Sequence, residues 1–215
     1  MGLGQVRDLR RSSIEAILAQ RAEGPFESLR DLLARVALQP KEAVHLIQCG
    51  ALDGLGPSRA ALLAEAEEIR QSGVPQQMAF TFAAVEVSAD TAAQRLAWEE
   101  AVLGWPVSVH PLSLVQSPGL ALAANGLPER APLRRLSELS GRTVTTAGVR
   151  LPGWTGGPGF FLGDGDAFVI VKSRTAQKPP PAWRPLIVRG RWVSDSFGSS
   201  WLQADEIAQA DALPT

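Results

Sequence analysis

The chain has 215 residues, with 21 Lys/Arg against 22 Asp/Glu and a formal net charge of −1 at pH 7. This balance excludes a global cationic field for nucleic acid, so any anion site must be local. The single cysteine, Cys49, excludes a disulfide framework, and no apolar stretch reaches the roughly 18 residues of a membrane-spanning helix. We therefore expect a soluble, cytoplasmic protein of one or two domains, without a metal or cofactor.

Residues 1–71 have the texture of four short helices. Apolar residues recur at helical spacing, and breaking or capping residues separate the segments. The first helix begins near Ser13 and ends at Gly24-Pro25. The other three are expected to begin at Leu29 after the cap Ser28, at Lys41 after Pro40, and directly after the cap Ser58.

The middle of the chain, residues 72–140, is mixed. An aromatic and apolar run without helical spacing covers residues 76–87, and a helix is expected from Ala89 to Leu103. Prolines then indicate extended or turning chain, and residues 132–139 form a short helical patch.

The pattern changes to β-structure from residue 141 onward. Five short strands are expected, and Asp164-Gly165-Asp166 is predicted to be the turn of a hairpin. Five strands in this length fit a small closed barrel better than a sandwich, which needs about seven. The predicted fold is α+β and multidomain, divided into residues 1–71, 72–140 and 141–215.

The loop Gly54-Leu55-Gly56-Pro57-Ser58-Arg59 is the first candidate site. Glycines at a turn that opens a helix let backbone N–H groups approach an anion, and the helix N-terminus favours negative charge. Arg59 is expected to add a phosphate contact. An ordinary turn between two helices fits the same residues.

The peptide Gln77-Met78-Ala79-Phe80-Thr81-Phe82 is the second candidate site. A short extended peptide can anchor apolar side chains in a preformed pocket while its amide side chain fixes the register. Ligands of the bacterial sliding clamp have this pattern: a Gln, then an apolar residue, then apolar anchors. A β-strand that packs Met78, Phe80 and Phe82 on one face fits equally well.

Three blocks of sequence resemble the bacterial replicative DNA polymerase III α subunit, of the C-family. Gly50–Leu63 resembles the segment after the fingers, where those proteins carry tandem helix-hairpin-helix motifs. Gly24–Leu32 is similar to the family's Gly-Pro-Phe-x-Ser-Leu-x-Asp segment, and Glu100–Leu112 to its Leu-Gly-aromatic…His-Pro-Leu signature. The resemblance extends over almost the whole chain and is closest to the error-prone paralogues.

The first hairpin departs from the family pattern. Its Lys-Gly-apolar-Gly loop is replaced by Arg7-Asp8-Leu9-Arg10, so both glycines are missing. We expect the Cβ atom of Asp8 to hinder a positive φ and its charge to repel phosphate, which leaves this hairpin structural or weakly binding.

The resemblance implies an OB-type barrel for residues 141–215, which carry eight Lys/Arg against six Asp/Glu. OB folds hold single strands in a basic groove with aromatic stacking platforms, here drawn from Trp154, Phe160 and Phe161. The predicted DNA contacts are Gly54, Leu55, Gly56, Ser58, Arg59, Arg150, Trp154, Lys172 and Arg189, and the predicted clamp contacts are Gln77, Met78, Phe80 and Phe82.

The function implied by the resemblance is to hold primer-template DNA and the sliding clamp in DNA replication, repair or translesion synthesis. Other polymerase subunits are further possible partners. Nothing in this sequence resembles the paired aspartates of the polymerase palm, so we do not expect this chain to polymerise DNA by itself. The alternative is a protein-interaction module of a polymerase or repair complex that has lost most of its DNA binding, which the net charge of −1 favours.

Overall fold

The computed structural model describes residues 2–72, 89–115, 131–173 and 179–210. The chain divides into two compact units, Met1–Ser108 and Val109–Thr215. The helix expected in the middle region lies in the first unit, and the short helical patch lies in the second. None of the helices in the described ranges is both long and apolar enough to cross a membrane.

Among its described residues, the first unit has five α-helices around one apolar core, preceded by a short 3₁₀ helix, Leu3–Gln5. Their bounds are α1 Arg11–Glu23, α2 Leu29–Arg35, α3 Pro40–Gln48, α4 Arg59–Ser72 and α5 Ala92–Leu103. The four helices predicted before residue 72 are confirmed. The apolar side chains most completely buried in their core are Leu29, Leu32, Val36, Leu46, Ile47 and Leu62.

Local capping fixes where these helices begin. The Ser28 hydroxyl accepts a hydrogen bond from the Asp31 N–H at 3.1 Å, as the sequence predicts for α2. Helix α5 begins three residues later than expected because Thr91 and Gln94 form a reciprocal capping box.

Glu42 ties the start of α1 to α3. Its side chain is 1% exposed, and its carboxylate accepts hydrogen bonds from the Arg10 guanidinium at 2.8 and 3.0 Å and from the Ser13 hydroxyl at 2.8 Å. It also accepts from the backbone N–H groups of Gln39 and Arg10. These bonds, that of Arg10 first, lower the pKa of Glu42 to about 2 although burial opposes the shift.

The second unit is a closed five-stranded barrel, which confirms the predicted OB-type architecture. Its strands are β1 Thr143–Leu151, β2 Phe160–Gly163, β3 Phe168–Ser173, β4 Pro185–Ser194 and β5 Ser200–Gln209. They pair in the order β1-β2-β3-β5-β4, with β3 and β5 parallel and the other pairs antiparallel. Each of the five strands pairs with two neighbours, which closes the barrel.

One end of the barrel is filled by a 3₁₀ helix, Leu133–Leu139, at the place of the predicted helical patch. Leu133 and Leu136 from this helix join the barrel core, and the Leu133 N–H donates to Asp164 at 3.0 Å. The Asp164 carboxylate also accepts from the Asp166 and Ala167 N–H groups, which confirms the predicted hairpin turn.

Because the pKa of Glu42 is lowered in the folded state, its ionised form stabilises the helical unit. The contribution is fully present above about pH 4.5, the ordinary value, and is lost as the pH falls towards about 2. Its size is about 3 kcal/mol. We expect Glu42→Gln to lower the free energy of unfolding by about this amount at pH 7 and to flatten its acid dependence.

Urea unfolding of the full chain at a series of pH values measures both effects. Glu15→Gln is the control, because Glu15 is an exposed partner of Arg11 within α1 and its loss should cost under about 0.5 kcal/mol. Equal losses for the two variants would contradict the role assigned to Glu42.

Candidate nucleic-acid interface

The glycine loop between α3 and α4 is exposed where the sequence predicts a phosphate contact. Gly54 has φ +100°, and a Cβ atom built there would meet no atom within 4 Å. Within the part of the chain that the structure describes, the Gly54 and Gly56 N–H groups donate to no protein acceptor. The bend therefore leaves two backbone donors without a protein acceptor among the described residues, as binding of a phosphate there requires.

Gly56 and Ser58 support this bend in different ways. A Cβ atom at Gly56 would lie 2.8 Å from Cδ2 of Leu62, so the loop packs its backbone on the first turns of α4. The Ser58 hydroxyl accepts a hydrogen bond from the Ala61 N–H at 3.1 Å, which is the predicted cap. Leu55 is half-buried against the helical core rather than exposed.

The side chain of Arg59 points into the unit and not towards solvent. It is 5% exposed, and its guanidinium donates to Asp53 at 2.8 and 2.9 Å, to Glu99 at 2.8 Å and to the Gln48 carbonyl at 3.1 Å. The hydrogen bonds to Asp53 and Glu99 raise the pKa of Arg59 further above its ordinary value. The expectation that this side chain contacts phosphate is corrected, because its donors are already used inside the protein.

Glu99, on α5, is the buried partner that sequence reasoning missed. Its side chain is fully buried, and besides Arg59 it accepts from the Val107 N–H at 2.6 Å and the Ser108 N–H at 2.9 Å. Burial alone would raise the pKa of Glu99, but these bonds outweigh it and the pKa lies below its ordinary value. The Arg59–Glu99 pair thus joins the hairpin loop to α5 and to the turn that follows it.

Asp90 occupies the N-terminus of α4. Its carboxylate accepts from the Arg59 N–H at 2.8 Å and the Ala60 N–H at 3.4 Å, although it lies about thirty residues away in sequence. Its other oxygen lies 3.4 Å from Nε of Arg95 on α5. The sequence offered no signal for this arrangement, because it depends on the docking of α5 beside the loop.

Arg95 is the cation beside the loop that sequence reasoning missed. Its side chain is 39% exposed, and its Nε is buried without a hydrogen-bond partner among the described residues. Together with Asp90, Gly54, Gly56 and Ser58 it lines a cavity of about 300 Å³.

The first hairpin keeps its bend without glycine. Asp8 has φ +59°, so the expectation that its Cβ atom would hinder a positive φ is wrong. Aspartate tolerates this conformation better than most residues. Lys41 forms an ion pair with Asp8 at 2.8 Å, and this hydrogen bond lowers the pKa of the Asp8 carboxyl. The hairpin therefore presents a carboxylate beside its bend.

On the barrel, the structure brings Arg150 and Trp154 together. Both line a cavity of about 670 Å³ at the barrel end where β1 finishes and β4 begins, opposite the 3₁₀ helix. The Trp154 side chain is 83% exposed, and Nε of Arg150 is buried without a hydrogen-bond partner among the described residues. The exposed indole of Trp154 can stack on a base, and the guanidinium of Arg150, which lines the same cavity, can donate to an acceptor atom.

The other predicted barrel contacts lie elsewhere. The Lys172 ammonium lies 3.7 Å from the centroid of the Trp201 ring, in a cation–π contact. Arg189 is exposed on β4, where Glu206 of β5 is its register partner. Phe160 is 3% exposed and belongs to the barrel core, so it is not a stacking platform, whereas Phe161 is only half-buried. The four predicted clamp residues, Gln77, Met78, Phe80 and Phe82, lie outside the described residues.

A model of the helix-hairpin-helix motif matches residues 1–62. The error-prone DNA polymerase of Xanthomonas campestris pv. campestris (strain B100) is 34% identical over 200 residues, which cover 89% of this chain and 18% of that protein. The error-prone DNA polymerase of Anaeromyxobacter sp. (strain K) is 34% identical over 142 residues, covering 62% of this chain and 12% of that protein.

A similar solved structure is asparaginyl-tRNA synthetase from Pyrococcus horikoshii in complex with asparaginyl-adenylate, with a TM-score of 0.33 and 17% identity over 40% of this chain and 23% of that one. The chain spans less than a fifth of the length of the curated relatives named above. The sequence matches confirm the resemblance to the C-family polymerases and, within them, to the error-prone group.

The geometry of Arg59 predicts the effect of removing it. Arg59→Gln leaves the buried Glu99 without its cation, and we expect the free energy of unfolding to fall by about 3–5 kcal/mol. The control is Arg70→Gln, which removes an exposed guanidinium paired with Glu67 on α4 and should cost under about 1 kcal/mol. Urea unfolding followed by helical circular dichroism measures both, and a mild effect at Arg59 would contradict its structural role.

Proposed function

We propose that this chain is a DNA-handling part of an error-prone polymerase system, related to those polymerases over most of its length. In this proposal the second hairpin binds the phosphate backbone of a duplex and the barrel binds a single strand, in replication or translesion synthesis. The observation that carries it is the exposed glycine bend, whose Gly54 and Gly56 N–H groups have no acceptor among the described residues.

The chemistry of the hairpin suits a phosphate better than a base. Backbone N–H groups and a helix N-terminus recognise anionic oxygens without regard to sequence. Arg95, at the rim of the same cavity, supplies the side-chain cation that Arg59 cannot. Phosphate contacts of this kind give affinity that depends strongly on salt.

Titration of labelled primer-template DNA with the full chain tests the hairpin. We expect affinity to fall steeply with salt, and Arg95→Gln to weaken binding several-fold and to reduce the salt slope by about one phosphate contact. Arg70→Gln, which removes an equal charge from the exposed end of α4, should leave affinity unchanged. Salt-independent binding, or equal losses for both variants, would refute the phosphate contact.

The barrel end suits an unpaired base. A nucleotide entering the cavity of about 670 Å³ can stack on Trp154 and offer an acceptor to the guanidinium of Arg150. This unit has only a small excess of positive charge, so stacking has to supply more of the affinity than phosphate neutralisation does.

Binding of an oligothymidylate, followed by fluorescence anisotropy, tests the barrel. Trp154→Ala should weaken binding by about 1–3 kcal/mol, the usual range for one stacked base. The matched control is Phe197→Ala, because Phe197 is 92% exposed and does not line the cavity. A Phe197→Ala loss as large as that of Trp154→Ala would place the single strand elsewhere.

The sliding clamp is a proposed partner on sequence pattern and resemblance alone. The peptide Gln77–Phe82 has the amide and apolar spacing of clamp ligands. In a pull-down with purified clamp, Gln77→Ala combined with Phe80→Ala should abolish capture, whereas Gln76→Ala should not. Unchanged capture by the double variant would remove the peptide from the proposal.

The second candidate function is a protein-interaction module that has lost most DNA binding. The carboxylates of Asp8 and Asp90 favour it, since each lies where one of the two hairpins would approach a phosphate. Absence of DNA binding at low salt, together with co-purification with a polymerase chain that carries the palm, would decide for this candidate.

A further inference from the structure

We infer that Asp90 is a built-in competitor for phosphate at the second hairpin: its carboxylate occupies the N-terminus of α4 and must leave before a phosphate oxygen can bind there. The inference deepens the proposed function, on which it rests, by adding regulation to the same site. The inference is based on the two hydrogen bonds that the Asp90 carboxylate accepts from the Arg59 and Ala60 N–H groups, at 2.8 and 3.4 Å.

The Asp90 side chain has the position and the chemistry of a bound anion. It is 7% exposed, it receives two backbone donors from the first turn of α4, and its second oxygen lies 3.4 Å from Nε of Arg95. A phosphate group seeks the same three features, namely N–H groups, a helix N-terminus and a guanidinium. Two anions cannot occupy this place together.

Helix α4 does not depend on Asp90 alone for its cap. Ser58 already accepts the Ala61 N–H at 3.1 Å, which is the ordinary local cap. Helix α5 does not need Asp90 either, because Thr91 and Gln94 form its capping box. The carboxylate is therefore a removable second cap, in contact with the cavity that the unsatisfied N–H groups of Gly54 and Gly56 adjoin.

Displacement of Asp90 would release donors that a nucleic acid can use. The Arg59 and Ala60 N–H groups would join those of Gly54 and Gly56, and Arg95 would exchange one anion for another. Asp53 stays paired with Arg59 whether Asp90 is bound or displaced. The net charge beside the loop therefore changes only by the charge of Asp90. We expect the wild-type hairpin to bind duplex DNA more weakly than a hairpin without the Asp90 carboxylate.

The test compares Asp90→Asn and Asp90→Ala with the wild-type full chain. Asn keeps an oxygen acceptor for the two N–H groups and protects the fold, whereas Ala empties the place. We expect duplex affinity at low salt to rise at least fivefold for Asp90→Ala and less for Asp90→Asn. Glu68→Gln, which removes the same charge from an exposed position on α4, should leave affinity within twofold of wild type.

A second measurement separates this inference from the proposed function. Inorganic phosphate, added at constant ionic strength, should raise the thermal midpoint of Asp90→Asn and Asp90→Ala but not that of the wild type or Glu68→Gln. If phosphate stabilises both Asp90 variants and no variant binds DNA, the competitor role holds and the proposed DNA function fails.

Three results would overturn the inference. One is equal DNA affinity for wild type and both Asp90 variants, with no stabilisation by phosphate. Another is an equal gain for Glu68→Gln, which would make the effect one of general charge. The third is weaker binding by Asp90→Asn, which retains the acceptor, because it would make Asp90 a support of the binding loop and not its competitor.

Discussion

The buried ion pair between Arg59 and Glu99 organises the helical unit. Arg59 lies at the start of α4 and Glu99 lies on α5. Arg59 also donates hydrogen bonds to the hairpin loop, and Glu99 also accepts hydrogen bonds from the turn after α5. Gly50 is part of the same arrangement, because it has φ +79° and a Cβ atom there would overlap the Arg59 guanidinium. A buried charge without its partner costs several kcal/mol. The start of α4, helix α5 and the turn after α5 must therefore take up their positions together.

This constraint decides what the hairpin can offer a ligand. With the Arg59 side chain committed to the interior, the groups that the described residues offer an anion at this loop are its backbone N–H groups and the rim cation Arg95. Binding by backbone donors depends on loop shape, and loop shape depends on the buried pair. Substitution of Arg59 therefore cannot separate stability from recognition, and a charge reversal there would report on folding before it reported on DNA.

The features that could be predicted from the sequence are those that neighbouring residues determine. The caps Ser28 and Ser58 and the turn at Asp164 are local patterns, and each was found at its predicted place. Sequence reasoning failed where a side chain's environment is made by a distant element. Arg59 looks exposed in a helix-opening loop until α5 supplies Glu99, and Asp8 looks unsuited to a positive φ although the bend at the first hairpin is kept and Lys41 pairs with its carboxylate.

The two hairpins share an electrostatic feature that neither local pattern contains. Each has a residue with positive φ at its bend, Asp8 in the first and Gly54 in the second, and each has a carboxylate beside that bend: Asp8 itself in the first loop, and Asp90 brought from a distance to the second. A carboxylate beside each bend repels phosphate and therefore opposes tight binding of DNA. This arrangement favours a hairpin that binds only when several phosphates are contacted at once. One phosphate contact does not offset the free energy of displacing an internal carboxylate, whereas a duplex presents many phosphates.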